Sequence, residues 1–370
     1  MPMAGKVKVF YVLKDYPTVS QTYIKGEIEA VADEFDLTVV CRQETFHAYH
    51  PHLPFTVLPT VEEVCAAVEA AKPDVLHTHW LANAPFVHEV ARRTGVPFTV
   101  RSHSFDTLWG GWRGRIYDAS PWGPPLLRPT YLRDLRAIAH DDLCIGILGF
   151  PFVRGRLEKA GVPADKFHEC WPVLDFDRFH DRGPNGDRIM NCGAALPKKQ
   201  MGSFIDLAVA MPGRGYDLYP LGFDSPEMNA RNEAAGNPVT VVDPVEPNEM
   251  PAHYKRHEWL VYFGDARSKS VGWPLSVAES QASGVGVAVA AIRPDLRTYV
   301  GPAGFVFESM AELQSILSKP YPDEMREAGF EHARRSDIRV HKTILTDLWR
   351  SLPSRAASSH DTRTTTGRSR

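Results

Sequence analysis

Short runs of β-branched and aromatic residues alternate with helical patterns along most of the chain, and this alternation restricts the fold more than any other feature. The first half contains KVKVFYVL, FDLTVVC, PFTVLP, DVLHTHW, PFTVRSH and LCIGIL, and the second RIMNCGA, YDLYPLG, PVTVVDPV, EWLVYFG, VGVAVAA and GFVFES. Strands separated by helices are typical of βαβ units and parallel sheets. The pattern predicts an α/β protein with two Rossmann-like, doubly wound parallel-sheet domains.

The length of 370 residues suits two such domains. A stretch rich in Gly, Pro and Asp, from Gly183 to Asp187, is the best candidate for the linker. We expect one domain at 1–185 and another at 186–334. A single long amphipathic helix is expected from about Glu324 to Leu352, with its end, about 335–352, packed back on the first domain. Residues 353–370 have almost no apolar side chains and are expected to be disordered.

Composition narrows the range of partners. A formal net charge of -3 gives no electrostatic footprint for nucleic acid, so we expect no nucleic-acid partner. The five cysteines are scattered and odd in number, which is typical of buried free thiols in a reducing compartment. Because no apolar run has the length of a signal peptide or a membrane span, we expect a cytoplasmic protein.

One long segment, Asp106 to Arg136, fits neither a strand nor a helix. It interleaves tryptophan and tyrosine with arginine. Loops of this length are usually functional or disordered, and several tryptophans favour function. We expect this segment to bind an acceptor or to act as a lid, in preference to a merely packed excursion. Peripheral contact with a membrane surface is a further alternative.

Several familiar motifs are absent from the sequence. No predicted strand is followed by G-x-G-x-x-G, and neither a P-loop nor a G-x-S-x-G elbow occurs. The sequence therefore favours neither dinucleotide redox chemistry nor P-loop phosphoryl transfer. His77 and His79 are candidate metal ligands, but we expect them to point to opposite faces of their strand. The sequence thus predicts no metal site.

In open α/β sheets, ligands bind beyond the carboxyl ends of the strands. The polar groups expected there are Ser20, Gln21, Thr22, His79 and His103 in the first half, and Lys198, Lys199, Gly222 and the segment GWPLSVAES with Glu279 in the second. Each has an ordinary structural alternative. Ser20 suits a helix N-cap, the two lysines a solvated loop, His103 a supporting role and Glu279 a helix surface. Taken together, lysines, helix N-termini and one isolated carboxylate suggest a site for a diphosphate and a diol.

Six segments, in order from about Lys6 to Leu352, resemble motifs of a known family. They are YPTVSQTYIKGEIEAV, DVLHTHWL, PFTVRSHSFD, VRGRLEKAGVPADKFHECWPVLDFDRF, CGAALPKKQMGSFIDLAVAM and VGWPLSVAESQASGVGVAVA. They are similar to the GT-B glycosyltransferases of the retaining family 4 type (glycosyl transferases group 1). The resemblance implies two Rossmann-like domains that face a central cleft.

The resemblance also implies roles for individual residues. Glu279 corresponds to a glutamate that binds the ribose hydroxyls of a sugar nucleotide, Lys199 to a lysine that neutralises the diphosphate, and His103 to a histidine beside the donor sugar; these three are the implied catalytic residues. The other implied donor-binding residues are Ser20, Gln21, Gly193, Lys198, Gly222, Gly272, Trp273, Pro274, Leu275 and Ser276. The amides of Leu275 and Ser276 lie where backbone N–H groups are expected to meet the sugar and the phosphate.

The implied reaction is transfer of a sugar from a nucleotide-diphosphate sugar to a hydroxyl acceptor with retention of configuration, without a cofactor and without a required metal. Glycans, lipid-linked sugars and small molecules all fit as the acceptor. Two positions depart from the family pattern: Val271 replaces a glutamate and Ala194 an arginine, with Lys198 or Arg267 as candidates for compensation. These departures motivate one alternative, a catalytically weakened GT-B protein that binds a nucleotide sugar or a partner. A nucleotide-sugar epimerase is a third reading.

Overall fold

The computed structural model describes residues 6–45, 48–103, 106–107, 130–221, 225–266 and 271–352. These residues form two parallel sheets, each with helices on its faces. The expected α/β class with two doubly wound parallel sheets is confirmed.

The first sheet has seven strands in the order β3-β2-β1-β4-β5-β6-β7. Their bounds are β1 Lys8–Asp15, β2 Asp36–Gln43, β3 Phe55–Val57, β4 Val75–His79, β5 Phe98–Arg101, β6 Cys144–Gly149 and β7 Phe167–Glu169. The short β7 was not among the strands expected from sequence, because its three residues include only one apolar side chain.

The second sheet has six strands in the order β10-β9-β8-β11-β12-β13. Their bounds are β8 Arg188–Ala194, β9 Tyr216–Leu221, β10 Thr240–Val241, β11 His257–Tyr262, β12 Gly286–Ala290 and β13 Gly304–Phe307. Every strand pair within the described residues of both sheets is parallel. In each sheet the strand order reverses at one pair, β1 with β4 and β8 with β11, which is where open α/β sheets form a crevice.

The α-helices of the described residues connect these strands. In the first half they are α1 Thr22–Val31, α2 Val61–Ala71, α3 Ala84–Thr94, α4 Thr130–His140, α5 Arg154–Lys159 and α6 Phe176–Phe179. In the second half they are α7 Gly202–Ala210, α8 Ser225–Ala234, α9 Met250–Tyr254, α10 Leu275–Ala282, α11 Asp295–Val300, α12 Met310–Leu317, α13 Asp323–Ala333 and α14 Ile338–Arg350. Helix α2 shows the clearest sequence control of a boundary: Thr60 and Glu63 form a capping box at its start.

Side chains alternate between the two faces of the central strand β1. Phe10 and Val12 belong to one hydrophobic cluster, under α2 and α3, whereas Val9, Tyr11 and Leu13 belong to another, under α1 and α14. Both faces of the sheet are therefore buried, which explains why the strand reads as one continuous apolar run. The second sheet is likewise covered by a cluster on each face.

The C-terminal segment is not the single helix expected from Glu324 to Leu352. Helix α13 ends at Ala333, one 3-10 turn follows at Arg334–Ser336, and α14 starts at Ile338. Asp337 is extended and its side chain accepts a hydrogen bond from the amide of Arg339, which caps α14. The expectation was wrong because the apolar periodicity continues through a residue that can also serve as an N-cap.

The break in the C-terminal segment lies where the chain crosses between the two sheets. Leu174 pairs with Asp337 in a parallel bridge, with the Leu174 amide 2.9 Å from the carbonyl oxygen of Ser336 and the Ile338 amide 2.8 Å from that of Leu174. Beyond this point α14 packs on the first sheet, where Trp349 is fully buried beside Tyr11. The chain thus passes between the two sheets near Leu174 and again near Asp337, and these two segments lie side by side.

Several other expectations concern segments that the structure describes in part. Of the irregular segment expected at Asp106–Arg136, residues 108–129 lie outside the described residues, but from Thr130 onward the chain is helical in α4, so the expected loop extends too far. The expected disorder of 353–370 also lies outside the described residues.

All five cysteines are free and buried, as expected. Within the described residues, no helix has the length and apolar character needed to cross a membrane.

Candidate active site

A cavity of about 420 Å³ lies between the two sheets, at the carboxyl ends of their strands. The predicted site residues that line it are Ser20, Gln21, His103, Gly193, Lys198, Lys199, Gly272, Trp273, Pro274, Leu275, Ser276 and Glu279. Thr22, which was also expected at the strand ends, lines the cavity too, whereas His79 does not. Gly222 lies outside the described residues. The structure therefore brings together segments that are up to 259 positions apart, from Ser20 to Glu279.

The loop after β8 places two lysines in this cavity. The strand ends at Ala194, and Pro197–Lys199 form one 3-10 turn that ends at Gln200 in the left-handed conformation. The ammonium of Lys199 lies 5.7 Å from the centre of the Tyr262 ring. A Cβ on Gly193, whose φ is +135°, would lie 2.8 Å from the same ammonium. A glycine at 193 thus leaves the space that the Lys199 ammonium occupies.

Both lysines are partly buried, and burial lowers their pKa values. The pKa of Lys198 falls to about 8, from burial first and then from the neighbouring charge of Lys199. The pKa of Lys199 also falls to about 8, mainly through burial. These are not the lysines of an ordinary solvated loop. They are cations held at a cost in desolvation, which an anionic ligand would offset.

Helix α10 begins at the edge of the cavity, and its N-cap residue makes no side-chain capping bond. Its N-cap is Pro274, in an extended conformation, and Leu275 and Ser276 are the first two helical residues. The first amides of a helix have no intrahelical acceptor, and together with the helix dipole they favour a negative charge. A phosphate or carboxylate group in the cavity would meet this helix end.

Glu279 lies one turn further along α10. Its Oε2 accepts a hydrogen bond of 2.7 Å from the Tyr254 hydroxyl. Burial raises the pKa of the Glu279 carboxyl, while the Tyr254 hydrogen bond and the charge of Arg178 oppose this effect. The carboxylate lines the cavity rather than the helix surface. One oxygen is held by Tyr254, which orients the group toward a ligand hydroxyl.

The ring of Trp273 has a structural task. It is 5% exposed, and its Nε1 donates to Asp295 at 2.8 Å. It stacks on Tyr299 at 4.7 Å between ring centres, with an interplanar angle of 6°, and also packs against Phe150 and Phe152 of the segment that follows β6. The turn that carries the helix N-terminus is therefore anchored between the two halves of the molecule.

The two positions that depart from the family pattern differ in environment. Val271 is 3% exposed and packs in the hydrophobic cluster around Trp273, while its carbonyl oxygen accepts a hydrogen bond from the Arg293 guanidinium. Ala194 lines the cavity at the end of β8, where Lys198 lines it too. Arg267, the other residue considered for compensation, lies outside the described residues.

On the first-sheet side, Ser20 is exposed at the cavity and is not a helix N-cap. The N-cap of α1 is Gln21, without a side-chain capping bond, because the helix starts one residue later than the sequence pattern suggested. The Gln21 amide instead contacts Asp15 at the end of β1, at 3.3 Å. Ser20 and Gln21 thus belong to the loop that lines the cavity.

His103 is clamped between aromatic rings beside the cavity. Its ring centre lies 4.3 Å from that of Tyr23 and 4.5 Å from that of Trp80. Its Nε2 is 2.9 Å from Nδ1 of His79. Burial, followed by the neighbouring charges of His79 and Arg101, lowers the pKa of His103 well below 6.5. The ring is therefore neutral at physiological pH and fixed in orientation.

The expectation that His77 and His79 point to opposite faces of β4 is wrong. Residues i and i+2 of a strand share a face, and the Nε2 atoms of both histidines lie 3.0 Å from Oε1 of Glu27. Glu27 is fully buried on α1. The sequence carried a signal for it, because Ile24, Glu27, Ile28 and Val31 occupy one helical face, on which a lone carboxylate needs partners.

Other cavity residues were not predicted from sequence. They include Tyr23, Trp80, Arg101, Arg178, Tyr254 and Tyr262. Arg101 is the last residue of β5 and so lies at a strand end, where ligand-binding groups are expected, but its guanidinium is bound to Glu27. The aromatic residues gave no signal, since their positions match ordinary core positions.

Residues 24–143 match the family model described as "Glycosyl transferase 4-like domain". No curated protein matches the chain in sequence. Among solved structures, Alr3699/HepE of Anabaena, in complex with UDP-glucose, is similar over 93% of this chain and 100% of its own, with 13% identity and a TM-score of 0.73. The chain has the GT-B fold.

Two further GT-B structures are similar over nearly the whole chain. Sucrose-phosphate synthase from Thermosynechococcus elongatus matches 93% of this chain and 98% of its own, with 14% identity and a TM-score of 0.69. AviGT4, a glycosyltransferase involved in avilamycin A biosynthesis, matches 93% and 97%, with 16% identity and a TM-score of 0.58. The resemblance to GT-B glycosyltransferases inferred from the motifs is confirmed.

Proposed function

We propose that this protein transfers a sugar from a nucleoside diphosphate sugar to a hydroxyl acceptor, with retention of anomeric configuration. The observation that carries the proposal is the set of groups in one cavity: two partly buried lysines, the uncapped start of α10 and the carboxylate of Glu279. Structures of HepE hold UDP, UDP with glucose, or UDP-glucose, which supports a nucleotide-sugar donor.

The charges of the cavity suit a diphosphate. Lys198 and Lys199 remain mostly protonated at pH 7, since their pKa values are about 8. The dipole of α10 adds a partial positive charge near Leu275 and Ser276. A diphosphate would exchange its hydration for these fixed donors, and a charge-assisted hydrogen bond contributes roughly 1.5 to 3 kcal/mol. Glu279, already oriented by Tyr254, would accept hydrogen bonds from the ribose diol.

The same donors would assist the chemistry. In the reaction, the bond between the anomeric carbon and the diphosphate oxygen breaks, and a bond to the acceptor oxygen forms on the same face of the sugar. The acceptor proton passes to the departing diphosphate. Negative charge grows on the diphosphate as it leaves, so Lys199 and the α10 N-terminus stabilise the transition state more than the bound substrate. No protein nucleophile is required.

A second candidate function is binding of a nucleotide sugar without transfer. It is favoured by Val271, which is packed in an apolar cluster where the family pattern has a glutamate, and by Ala194 in place of an arginine. Gain of transferase activity in a Val271→Glu variant of an otherwise inactive protein would favour this candidate. Turnover in the unmodified chain would exclude it.

Thermal unfolding with a panel of UDP, GDP, ADP, CMP, TDP and their sugars, without added metal, tests the donor. A ligand at 100 times its dissociation constant adds roughly 2.7 kcal/mol to the free energy of unfolding, which gives a clear rise in midpoint. We expect one nucleotide family to respond and the response to vanish in Glu279→Ala. Glu324→Ala, an exposed glutamate of α13, is the matched control. No response to any member of the panel would contradict the proposal.

A further inference from the structure

A chain of hydrogen bonds leads from a buried carboxylate to the cavity. Oε1 of Glu27 is 3.0 Å from Nε2 of His79, and Nδ1 of His79 is 2.9 Å from Nε2 of His103. Glu27 and His79 are at most 1% exposed, whereas His103 is 7% exposed and lines the cavity. The three side chains come from α1, β4 and the residues just after β5.

The first member of this chain, Glu27, is ionised. Burial alone would raise its pKa, but the neighbouring His79, His77 and Arg101 outweigh burial and hold the pKa well below 4.5. The Arg101 guanidinium donates to Oε2, and the Tyr11 hydroxyl donates to Oε1 at 3.2 Å. An ionised carboxylate has only acceptors. Each neighbour must therefore present a hydrogen to it.

This fixes the proton of His79. Burial lowers the pKa of His79 to about 4, so the ring is neutral at pH 7 and carries one N–H. That hydrogen must be on Nε2, which faces Glu27, because a lone pair there would face the lone pairs of the carboxylate. The Nδ1 of His79 is then an acceptor.

The same logic passes to His103. Because Nδ1 of His79 accepts, Nε2 of His103 must donate, and the neutral His103 ring then keeps a lone pair on Nδ1. We propose that Glu27 and His79 are positioning residues that hold His103 in the Nε2–H tautomer, with Nδ1 as a hydrogen-bond acceptor for a ligand. Within the part of the chain that the structure describes, Nδ1 of His103 has no hydrogen-bond partner.

The consequence for the ligand rests on the proposed function. A lone pair on Nδ1 can accept from a sugar hydroxyl but repels a phosphate oxygen. The hydrogen-bond relay from Glu27 through His79 to His103 therefore directs His103 toward a hydroxyl of the transferred sugar and away from the diphosphate, which the lysines hold. Loss of the relay should weaken binding of a nucleoside diphosphate sugar without weakening binding of the nucleoside diphosphate.

Glu27, His77 and His79 also have the spacing of three metal ligands. Charge argues against this use, because Glu27 is already neutralised by Arg101 and a divalent cation would lie next to that guanidinium in a fully buried site. A metal site and the hydrogen-bond chain also predict opposite tautomers of His79 and His103. A metal on Nε2 of His79 would place the hydrogen on Nδ1, so that Nε2 of His103 would accept and Nδ1 would carry the hydrogen.

Nitrogen-15 NMR of the histidine side chains tests the proposal in the wild-type protein without any ligand, with the His103 signals assigned by their loss in His103→Asn. We expect a protonated Nε2 and an unprotonated Nδ1 on His103. A protonated Nδ1 would overturn the proposal, as would one equivalent of tightly bound metal in the purified protein. Because this measurement needs no substrate, it stands even if no nucleotide sugar binds.

A variant pair then tests the effect on binding. His79→Leu breaks the relay, while His77→Leu removes the other histidine beside Glu27 and leaves the His79–His103 hydrogen bond intact. We expect His79→Leu to bind UDP-glucose roughly tenfold more weakly than His77→Leu does, with equal affinity of the two for UDP. Equal losses in the two variants, or the same loss for UDP as for UDP-glucose, would overturn the positioning role. Failure of the wild type to bind either probe would count against the proposed donor alone.

Discussion

Replacement of Lys199 by methionine separates what this lysine does for a ligand from what it does to the fold. Methionine keeps most of the length and packing of the side chain and removes the charge. If the Lys199 ammonium binds a diphosphate, the variant loses one charge-assisted hydrogen bond, about 1.5 to 3 kcal/mol. At roughly 1.4 kcal/mol per factor of ten, nucleoside diphosphate affinity should fall about 10- to 150-fold.

The stability of the ligand-free protein should change in the opposite direction. Burial lowers the pKa of Lys199 from 10.5 to about 8, which means that the fold disfavours the charged form. At pH 7 the lysine is charged and this penalty is present, so Lys199→Met should raise the free energy of unfolding, by roughly 1 to 2 kcal/mol after allowance for partial exposure. The gain should be full below pH 8 and should shrink between pH 8 and 10.5, where the native lysine loses its proton first.

Isothermal titration calorimetry with the responding nucleoside diphosphate and denaturant unfolding at pH 7 and pH 10 measure the two effects. Lys319→Met is the control, since Lys319 is exposed just after the C-cap of α12 and does not line the cavity. A variant that binds the diphosphate as tightly as the wild type would refute the role of Lys199. A less stable variant at pH 7 would refute the reasoning from burial.

Three further predictions address other parts of the site. Gly193→Ala places a Cβ 2.8 Å from the Lys199 ammonium, whereas a Cβ at Gly213, which also has a positive φ, would meet open space. Both variants should lose about 1 kcal/mol or more of stability. Calorimetry should show weaker diphosphate binding for Gly193→Ala alone. Glu279→Gln should lose the preference for UDP over 2′-deoxy-UDP, because an amide is a poorer acceptor for a diol than a carboxylate; an unchanged ratio of dissociation constants would count against the ribose contact. The pKa values of Lys198 and Lys199 are about 8. Diphosphate affinity should therefore be nearly flat from pH 6.5 to 7.5 and should fall above pH 8, by up to tenfold per pH unit for each lysine that must be charged to bind the ligand. Affinity that stays constant to pH 9.5 would exclude both lysines as diphosphate ligands.

Local sequence patterns were enough to predict the architecture, because strand and helix signals extend over only a few neighbouring residues. Alternating strand and helix patterns, each no longer than about four helical turns, predict βαβ units, and parallel strands require those crossovers. The start of helix α2 is likewise set locally, because its capping box lies within four residues. The strand-end rule also predicted which segments line the cavity, since it depends only on where each strand stops.

Local patterns failed where distant residues decide the structure. The C-terminal segment reads as one amphipathic helix, yet it breaks at Asp337 because the chain there pairs with Leu174 and crosses to the first sheet. Trp273 reads as part of a binding turn, yet its ring is held by Tyr299 and by Phe150 and Phe152. No periodicity in the sequence carries these partners.

The polar groups beneath the cavity depend most on tertiary structure. The rule that i and i+2 share a strand face could have placed His77 and His79 together, but not against Glu27, 50 and 52 positions away. Nor could sequence show that Arg101 and Tyr11 converge on the same carboxylate. A buried charge is stable only with its complete set of donors, and that set is assembled from α1, β1, β4 and β5 when they pack. The sequence was therefore enough to predict several of the residues that line the cavity, whereas packing of the fold sets their protonation and orientation.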